Sequence, residues 1–439
     1  MLPVNRADET IFAVASGAGR AAICVLRVSG PRSRDLLRHL CGGNPPPRRA
    51  SLRTLRDGTG EALDQALVLW LPGPASYTGE DCAELHLHGG RGVVDGVADA
   101  LAALGARPAE PGEFTRRAFL NGRMDLLEAE AVADLVDAET AAQRRQALRQ
   151  LSGALGELYS GWSTRLTSVM AQQEVLIDFP DEDLPPDIER TLIAELGMIL
   201  AEIEAHLGDE RRGERLREGL VIAVGGAPNV GKSSLINLLA DRDVAIVSPF
   251  PGTTRDVLEA RAVFGGVPVT LLDTAGIRAS TDPIETDGVR RAVRRIAEAD
   301  LVLLVADAAA GSFWLDADAV PTGGAVLRVV NKIDLAQAPP GVVAVSALTG
   351  QGLDGLRAAL NAAIRRLVER DGPPPLTRAR HRSALSEVVA ELRGAMTERL
   401  AELRAERLRL ATRALGRITG RIDVEDVLDA IFSQFCIGK

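Results

Sequence analysis

The run Leu220-Val221-Ile222-Ala223-Val224, with Gly226-Ala227-Pro228-Asn229-Val230-Gly231-Lys232-Ser233-Ser234 behind it, decides how this chain folds. Five apolar residues without alternation are what a central parallel strand needs when both of its faces are covered. Gly226 to Ser233 matches the pattern GxxxxGK[ST] in full, and Ser234 to Leu239 can open a helix. Strand, glycine-rich loop and helix in that order form a phosphate cradle. The glycines let backbone N–H groups close around phosphate oxygens, Lys232 brings a point charge to the β- and γ-phosphates, and the Ser233 hydroxyl can ligate Mg2+. The helix N-terminus adds the positive end of its dipole.

Four more elements follow in sequence. Gly252-Thr253-Thr254-Arg255-Asp256 offers Thr254 to Mg2+ and to the γ-phosphate. Val269 to Leu272 reads as a strand ending in Asp273-Thr274-Ala275-Gly276, where Asp273 can hold the Mg2+ shell and the Gly276 N–H can meet the γ-phosphate. Val326 to Val330 reads as another strand, running into Asn331-Lys332-Ile333-Asp334. The Asp334 carboxylate can accept hydrogen bonds from N1–H and the 2-amino group of guanine. Adenine offers neither, and an acceptor left unpaired is expensive, so this position selects GTP over ATP. Val342 to Val345, then Ser346-Ala347-Leu348, supply the last base-contacting loop. Five such elements, each at a strand end, resemble the Ras-like, translation-factor-related GTPases. GTP is accordingly expected among Asn229 to Ser234, Ser248-Pro249-Phe250-Pro251 with Gly252 to Thr254, Asp273 to Gly276, Asn331, Lys332, Asp334 and Ser346 to Leu348, with Lys232 and Asp273 catalytic.

The whole chain has 439 residues, 46% apolar and 25% charged, an ordinary folded composition rather than a disordered one. At about 150 residues per domain it suggests roughly three domains. Aromatics are only 3%, which argues against base-stacking platforms for single-stranded nucleic acid. A net charge of −9 excludes a generally basic polyphosphate binder, though not a local basic face. Cys24, Cys41, Cys82 and Cys436 include no CxxC pair and make no disulfide scaffold, so a reducing, cytoplasmic setting is expected. No apolar run reaches the roughly 18 residues that would span a bilayer, and no signal peptide is apparent, so no membrane is expected.

Residues 1–118 read as an α/β domain. Ile23 to Val28 and Ala66 to Trp70 are strand-like, Ala83 to His88 alternates with period two until Gly89-Gly90 breaks it, and Val93 to Leu104 suits a helix. Residues 119–218 and 373–439 are rich in Ala, Leu, Glu and Arg; Leu126, Leu127, Ala131, Leu135 and Val136 form one apolar stripe, and Leu376 to Ala430 lacks proline. Between them, residues 219–372 alternate β and α. The economical arrangement is multidomain: an N-terminal α+β domain, a helical domain, and a Ras-like phosphate-loop domain with a mainly parallel sheet inserted into it, Pro373-Pro374-Pro375 marking the return.

Other features read as structural. His86 and His88 share a strand face without an evident third metal ligand, and Asp178, Asp181, Glu182 and Asp183 are interleaved with prolines as in a solvated loop. Arginines from Arg378 to Arg421 alternate with Glu as in exposed helices; Arg378, Arg380 and Arg382 alone cluster tightly enough to suggest an RNA-backbone contact.

Tyr77-Thr78-Gly79-Glu80-Asp81, His88-Gly89-Gly90, Pro111 to Thr115, Ala118-Phe119-Leu120-Asn121, Ile177 to Pro180 and the terminus Phe435-Cys436-Ile437-Gly438-Lys439 together resemble the tRNA-modifying GTPase family called MnmE or TrmE. The resemblance spans the whole chain. It implies a homodimer whose N-terminal domain dimerises and binds 5-formyl-tetrahydrofolate through Arg27, Glu84, Arg123 (a lysine in the usual pattern) and Lys439. It also implies a heterotetramer with an MnmG-like flavoprotein that modifies carbon 5 of the wobble uridine of certain tRNAs. The Ras-like pattern places a water-orienting glutamine where this chain has Ile277. The family instead implies K+ held by Asn229, Ser248, Phe250 and Thr253 when two GTPase domains meet, and a catalytic Glu285 that orients water. Cys436 matches the family's near-terminal cysteine. The competing class is a ribosome-assembly GTPase, a switch on ribosomal RNA; such proteins usually carry an obvious basic RNA-binding module, whereas this chain is acidic overall.

Overall fold

A computed structural model describes residues 9–17, 19–178, 187–242, 259–273, 299–310, 325–368, 373–422, 425–433 and 435–438. The chain divides into two compact units: Met1–Ala133 with Leu151–Thr164 and Thr412–Lys439, and Asp134–Gln150 with Arg165–Ala411.

The first unit is built on a six-stranded sheet of β1 (Ile11–Val14), β2 (Ala21–Ser29), β3 (Ser51–Arg56), β4 (Ala62–Leu71), β5 (Cys82–Gly89) and β6 (Arg107–Pro108), in the order β3-β4-β5-β2-β1-β6. All neighbours are antiparallel except β1 and β6. Period-two alternation places Leu26 and Val28, Val68 and Trp70, and Leu85 and Leu87 on one face. Leu36, Leu37 and Leu40 of α1 (Ser33–Cys41) and Val97 and Leu101 of α2 (Arg91–Ala103) cover it. Each such side chain contributes about 1.5–3 kcal/mol by leaving water. Gly89 stays in β5, opposite Ala21, so the strand ends one residue later than the glycine pair suggests.

On the opposite face, register aligns Leu52, Leu67, His86 and Val25 in one row and Leu69, Glu84, Arg27 and Ala13 in the next. Leu52 is 63% exposed and Ile23, on the same face, 60%. Beyond the sheet lie α3 (Glu113–Leu120), the first part of α4 (Leu126–Asp137) and, farther along the chain, α13 (Glu425–Phe432). Leu126 and Ala129 pack with Leu428, Phe432 and Phe435. The expected α4 stripe holds for Leu126, Leu127 and Ala131, but Leu135 is half-buried and Val136 exposed. Helical spacing selects a face; only a neighbouring element buries it.

The second unit holds a sheet of β7 (Leu220–Gly225), β8 (Glu259–Phe264), β9 (Val267–Asp273), β10 (Leu301–Asp307), β11 (Ala325–Asn331) and β12 (Val343–Ala344), ordered β12-β11-β10-β7-β9-β8. It is parallel throughout except for the β8–β9 hairpin. β7 sits in the interior of the sheet, and Leu220, Ile222, Ala223 and Val224 are buried, as an unbroken apolar run requires. Leu235 and Leu239 of α9 (Lys232–Arg242) and Leu353, Leu356, Leu360 and Ile364 of α10 (Leu353–Val368) close the core.

The helical part of this unit includes α5 (Ala141–Leu151), α7 (Ile188–Leu207), α8 (Arg212–Glu218) and α11 (Ala379–Thr397), while α6 (Ala154–Asp178) and α12 (Ala401–Thr419) have residues in both units. Leu192, Leu196, Ile199 and Ile203 of α7 are buried where that helix packs with α11. The segments entering and leaving the nucleotide sheet are bonded together. The Asp209 carboxylate accepts from the Leu376 N–H at 3.1 Å, and the Arg217 guanidinium donates to the Thr377 carbonyl at 2.9 Å. Arg382 pairs with Asp209 at 2.6 Å and Glu214 at 3.0 Å, and Arg378 with Asp134 at 2.7 Å. The expected RNA contact at Arg378 and Arg382 is therefore corrected: both guanidiniums are committed to half-buried or buried carboxylates. Among the described residues, no helix is long and apolar enough to cross a membrane.

Candidate active site

The phosphate loop hangs between β7 and α9. Asn229 has φ 62°, a left-handed conformation that asparagine tolerates better than most side chains. Gly231 has φ 93°, and a Cβ there would collide with Asn331 Nδ2, so only glycine fits. Lys232 Nζ donates to the Gly226 and Ala227 carbonyls, each at 2.9 Å, which holds the ammonium over the loop. Burial pushes Lys232 below the ordinary lysine range, with the Asp273 charge opposing. Ser233 Oγ donates to Asp273 Oδ2 at 2.6 Å. The start of α9 and the end of β9 thus bring together two hard oxygen donors of the type Mg2+ takes.

On the base side, Asn331 is buried and both ends of its amide are engaged: Nδ2 donates to the Val230 carbonyl at 2.8 Å, and Oδ1 accepts from the Ala347 N–H at 2.9 Å. Asn331, Val230 and Ala347, expected as GTP contacts, here tie one loop to another, and the Val230 side chain lies in the core. Lys332, at φ 65°, pairs through Nζ with Asp307 at 2.6 Å. That hydrogen bond holds the Asp307 carboxyl below its usual range. Sequence reading missed Asp307, which ends the apolar run of β10 and carries no motif signal. Ser346 is buried, and its Oγ donates to Asp334 Oδ1 at 2.5 Å, anchoring an otherwise exposed carboxylate. Leu348 is 86% exposed beside it in sequence. Ser234 follows Ser233 in the first turn of α9. Ser248, Pro249, Phe250, Pro251, Gly252, Thr253, Thr254, Thr274, Ala275, Gly276, Ile277, Glu285 and Lys439 lie outside the described residues.

In the first unit, Arg27 meets Glu84 through Nε at 3.1 Å and Nη2 at 2.9 Å. The guanidinium lies 5.1 Å from the Tyr77 ring centroid and 5.7 Å from that of Phe114, an aromatic cradle that sequence reading did not assign. Tyr77 Oη is fixed by Thr115 Oγ1 at 2.8 Å. Arg123 is exposed and its side chain runs against Gly79, two residues from Tyr77, so Arg27, Glu84 and Arg123 gather around one loop. The C-terminal segment lies in the same unit. Phe435 meets Phe432 with the rings tilted by 50° and their centroids 5.4 Å apart, the Cys436 carbonyl accepts from the Gly112 N–H at 3.5 Å, and Gly438 presses on the Val14 carbonyl too closely for a Cβ. The Cys436 thiol is free and exposed. His86 and His88 do not converge: His86 Nε2 is 3.5 Å from Glu84 and His88 Nδ1 is 2.7 Å from Asp64.

A parallel sheet with a glycine-rich loop and lysine after β7, a carboxylate facing the loop serine, and a serine-anchored aspartate beyond β11 define a phosphate-loop GTPase. Models of known families match this chain twice: the MnmE helical domain over residues 126–436, and the GTP-binding protein TrmE N-terminus over residues 10–123. A tRNA modification GTPase MnmE of Gluconacetobacter diazotrophicus is 57% identical over 435 residues, covering 98% of each chain. That of Granulibacter bethesdensis is 55% identical over 438 residues, covering 98% of this chain and all of its own. The chain belongs to the MnmE family of tRNA modification GTPases. Among solved structures, the FeoB G-domain of Methanococcus jannaschii matches at 25% identity over 33% of this chain and 98% of its own, with a TM-score of 0.26, too low to carry structural detail across.

Proposed function

We propose that this chain hydrolyses GTP in a K+-dependent cycle driven by pairing of two GTPase domains, and that the cycle powers modification of carbon 5 of wobble uridines with a formyl-tetrahydrofolate one-carbon unit and an MnmG-like flavoprotein. The observation that carries the GTP half is the Ser233–Asp273 contact at 2.6 Å, set beside Lys232 at the mouth of the phosphate loop. Ser233 and Asp273, with Thr254, would hold Mg2+, which when bound neutralises charge on the β- and γ-phosphates. Lys232 binds the same phosphates, and Asp334, held by Ser346, orients guanine. Asn229, at its left-handed turn, is the described member of the proposed K+ set with Ser248, Phe250 and Thr253. Glu285 orients the attacking water.

For the one-carbon half, Arg27 in its aromatic cradle offers charge to the glutamate tail of a folate and Glu84 accepts from pterin N–H groups, with Arg123 and Lys439 completing the set. The face that carries Arg27 and Glu84 also exposes Ile23, Leu52 and Leu67, an apolar patch that suits a homodimer contact. The division into 1–118, 119–218 with 373–439, and 219–372, and a cytoplasmic location, belong to the same reading. Mass analysis of wobble nucleosides from cells lacking the protein tests it: loss of the carbon-5 group is expected, and an unchanged profile overturns it. GTP turnover in KCl should far exceed that in NaCl at matched ionic strength; equal rates remove K+ from the cycle.

A further inference from the structure

Many helical arginines of the second unit face carboxylates: Arg165 meets Glu195 and Glu202, Arg393 meets Glu204, and Arg407 meets Glu391. Helix α5 differs. Its eleven residues, AAQRRQALRQL, include three arginines and no acid. Arg144, Arg145, Leu148 and Arg149 are all exposed, which puts one charged face in solvent. Among the described residues, Arg144 and Arg145 have no carboxylate partner. Asp137 and Glu139 precede the helix, and Glu139 faces Arg261 at 3.7 Å.

This face works against the helix that carries it. Arg145 and Arg149 are a like-charge i,i+4 pair, which costs roughly 0.2–0.5 kcal/mol of helix stability. Arg144 and Arg145 also sit in the first half of α5, toward the positive end of the dipole, where acids are favoured. By contrast, the exposed pair Arg365 and Arg366 occupies the last turn of α10, where the dipole welcomes cations, so local stability accounts for it. Arg149 shares that favourable last-turn position in α5, but Arg144 and Arg145 do not.

The opposite side of α5 is held by neutral amides. Thr140 and Gln143 form a capping pair, with Gln143 Oε1 accepting from the Glu139 and Thr140 N–H groups at 2.9 and 3.1 Å. Gln143 Nε2 donates to the Arg217 carbonyl at 3.0 Å and Gln146 Nε2 to the Gly213 carbonyl at 2.9 Å. Thr377 Oγ1 donates to Gln150 Oε1 at 2.9 Å. Helix α5 is thus bonded to the segment entering the nucleotide sheet and to the segment leaving it.

We propose that the exposed face of α5, formed by Arg144, Arg145 and Arg149, is a docking surface for the phosphate backbone of tRNA. The inference rests on the reading that this chain acts on tRNA. On a chain with net charge −9, an exposed face whose Arg144 and Arg145 meet no carboxylate among the described residues is complementary to an RNA backbone. Exposed guanidiniums suit bidentate phosphate contacts. RNA docked there rests on the helix that both connections to the nucleotide sheet grip.

The test is binding of fluorescein-labelled bulk tRNA to the full-length protein, by anisotropy across a salt series. The double variant Arg144→Gln/Arg145→Gln should bind about tenfold more weakly at 100 mM KCl, with a log–log salt slope shallower by about 1.8, roughly 0.9 for each phosphate that is no longer neutralised. Its GTP affinity should stay unchanged and its melting temperature should not fall, and Arg365→Gln/Arg366→Gln should bind tRNA like the parent. Unchanged tRNA affinity and slope in the α5 variant, or an equal loss in the α10 control, overturns the docking surface. Retained tRNA binding with abolished binding of the flavoprotein also overturns it and makes the face a protein contact. If the parent itself fails to bind tRNA, the surface falls too, while the nucleoside profile decides the tRNA reading separately.

Discussion

Asn331 Nδ2 donates to the Val230 carbonyl at 2.8 Å, so the loop proposed to read guanine is tied to the glycine-rich loop after β7. With Oδ1 taking the Ala347 N–H, one buried amide joins three motifs that are 101 and 16 residues apart along the chain. Asn331→Ala would leave a buried acceptor and donor unpaired, at roughly 1–3 kcal/mol each. GTP and GDP affinity should fall together by at least about tenfold. Calorimetric titration of both nucleotides checks this, and unchanged affinity would show the tie to be dispensable.

Asp334→Asn should weaken GTP binding strongly and admit xanthosine triphosphate, whose 2-oxo group can accept from the new amide. Ser346 Oγ already fixes one carboxylate oxygen, so the substituted side chain keeps its orientation and the change is one of chemistry. Competition between the two triphosphates reads the outcome directly. Equal preference before and after substitution would remove Asp334 from base selection.

Glu113 gives the first unit an acid-sensitive joint. Burial would raise its pKa, but hydrogen bonds from Arg107, the Glu110 N–H and Arg117 outweigh it and bring the carboxyl down to about 2. A depressed carboxylate contributes stability that is fully present above its unfolded pKa near 4.5 and is lost as pH falls toward about 2. Glu113→Gln should cost about 2 kcal/mol at pH 7 by removing charged hydrogen bonds to two arginines. It should also flatten the loss of stability between pH 4.5 and 2, as thermal melts across that window would show.

His206 acts in the second unit over a different window. Burial holds it down to about 4, against the charge of Asp209 and in the same direction as the Arg382 charge. Between pH 6.5 and 4 the unfolded chain takes up a proton that the folded one refuses, so stability falls as pH drops through that range. His206→Gln, which cannot titrate, should remove this slope. A variant as acid-sensitive as the parent between pH 6.5 and 4 would place the sensitivity elsewhere.

The described part of the nucleotide site was legible because the phosphate loop and the Asn331–Asp334 motif each sit at a strand end, and their spacing reflects one backbone conformation. Gly231 could be read as phosphate-loop glycine from the pattern alone. The reason it must be glycine, the nearby Asn331 amide, became visible only when β7 and β11 were placed on either side of β10. β10 itself carries no motif residue, so Asp307 and its pairing with Lys332 went unread. Arg378 and Arg382 were misread for the converse reason: charges close in sequence look free until the carboxylates they meet, 244 and 173 residues away, are brought alongside.

The amino-acid sequence by itself determined the alternation of strands and helices, the phosphate loop and the position of the aspartate proposed to read guanine, because these depend on local periodicity and backbone conformation. Tertiary structure alone decided which charges are spare. Asp134, Asp209 and Glu214 neutralise Arg378 and Arg382 because segments that enter and leave the nucleotide sheet return to one place, whereas α5 turns Arg144 and Arg145 outward with no such partner among the described residues. Burial and pairing are properties of three-dimensional neighbourhood, and no spacing along the chain encodes them.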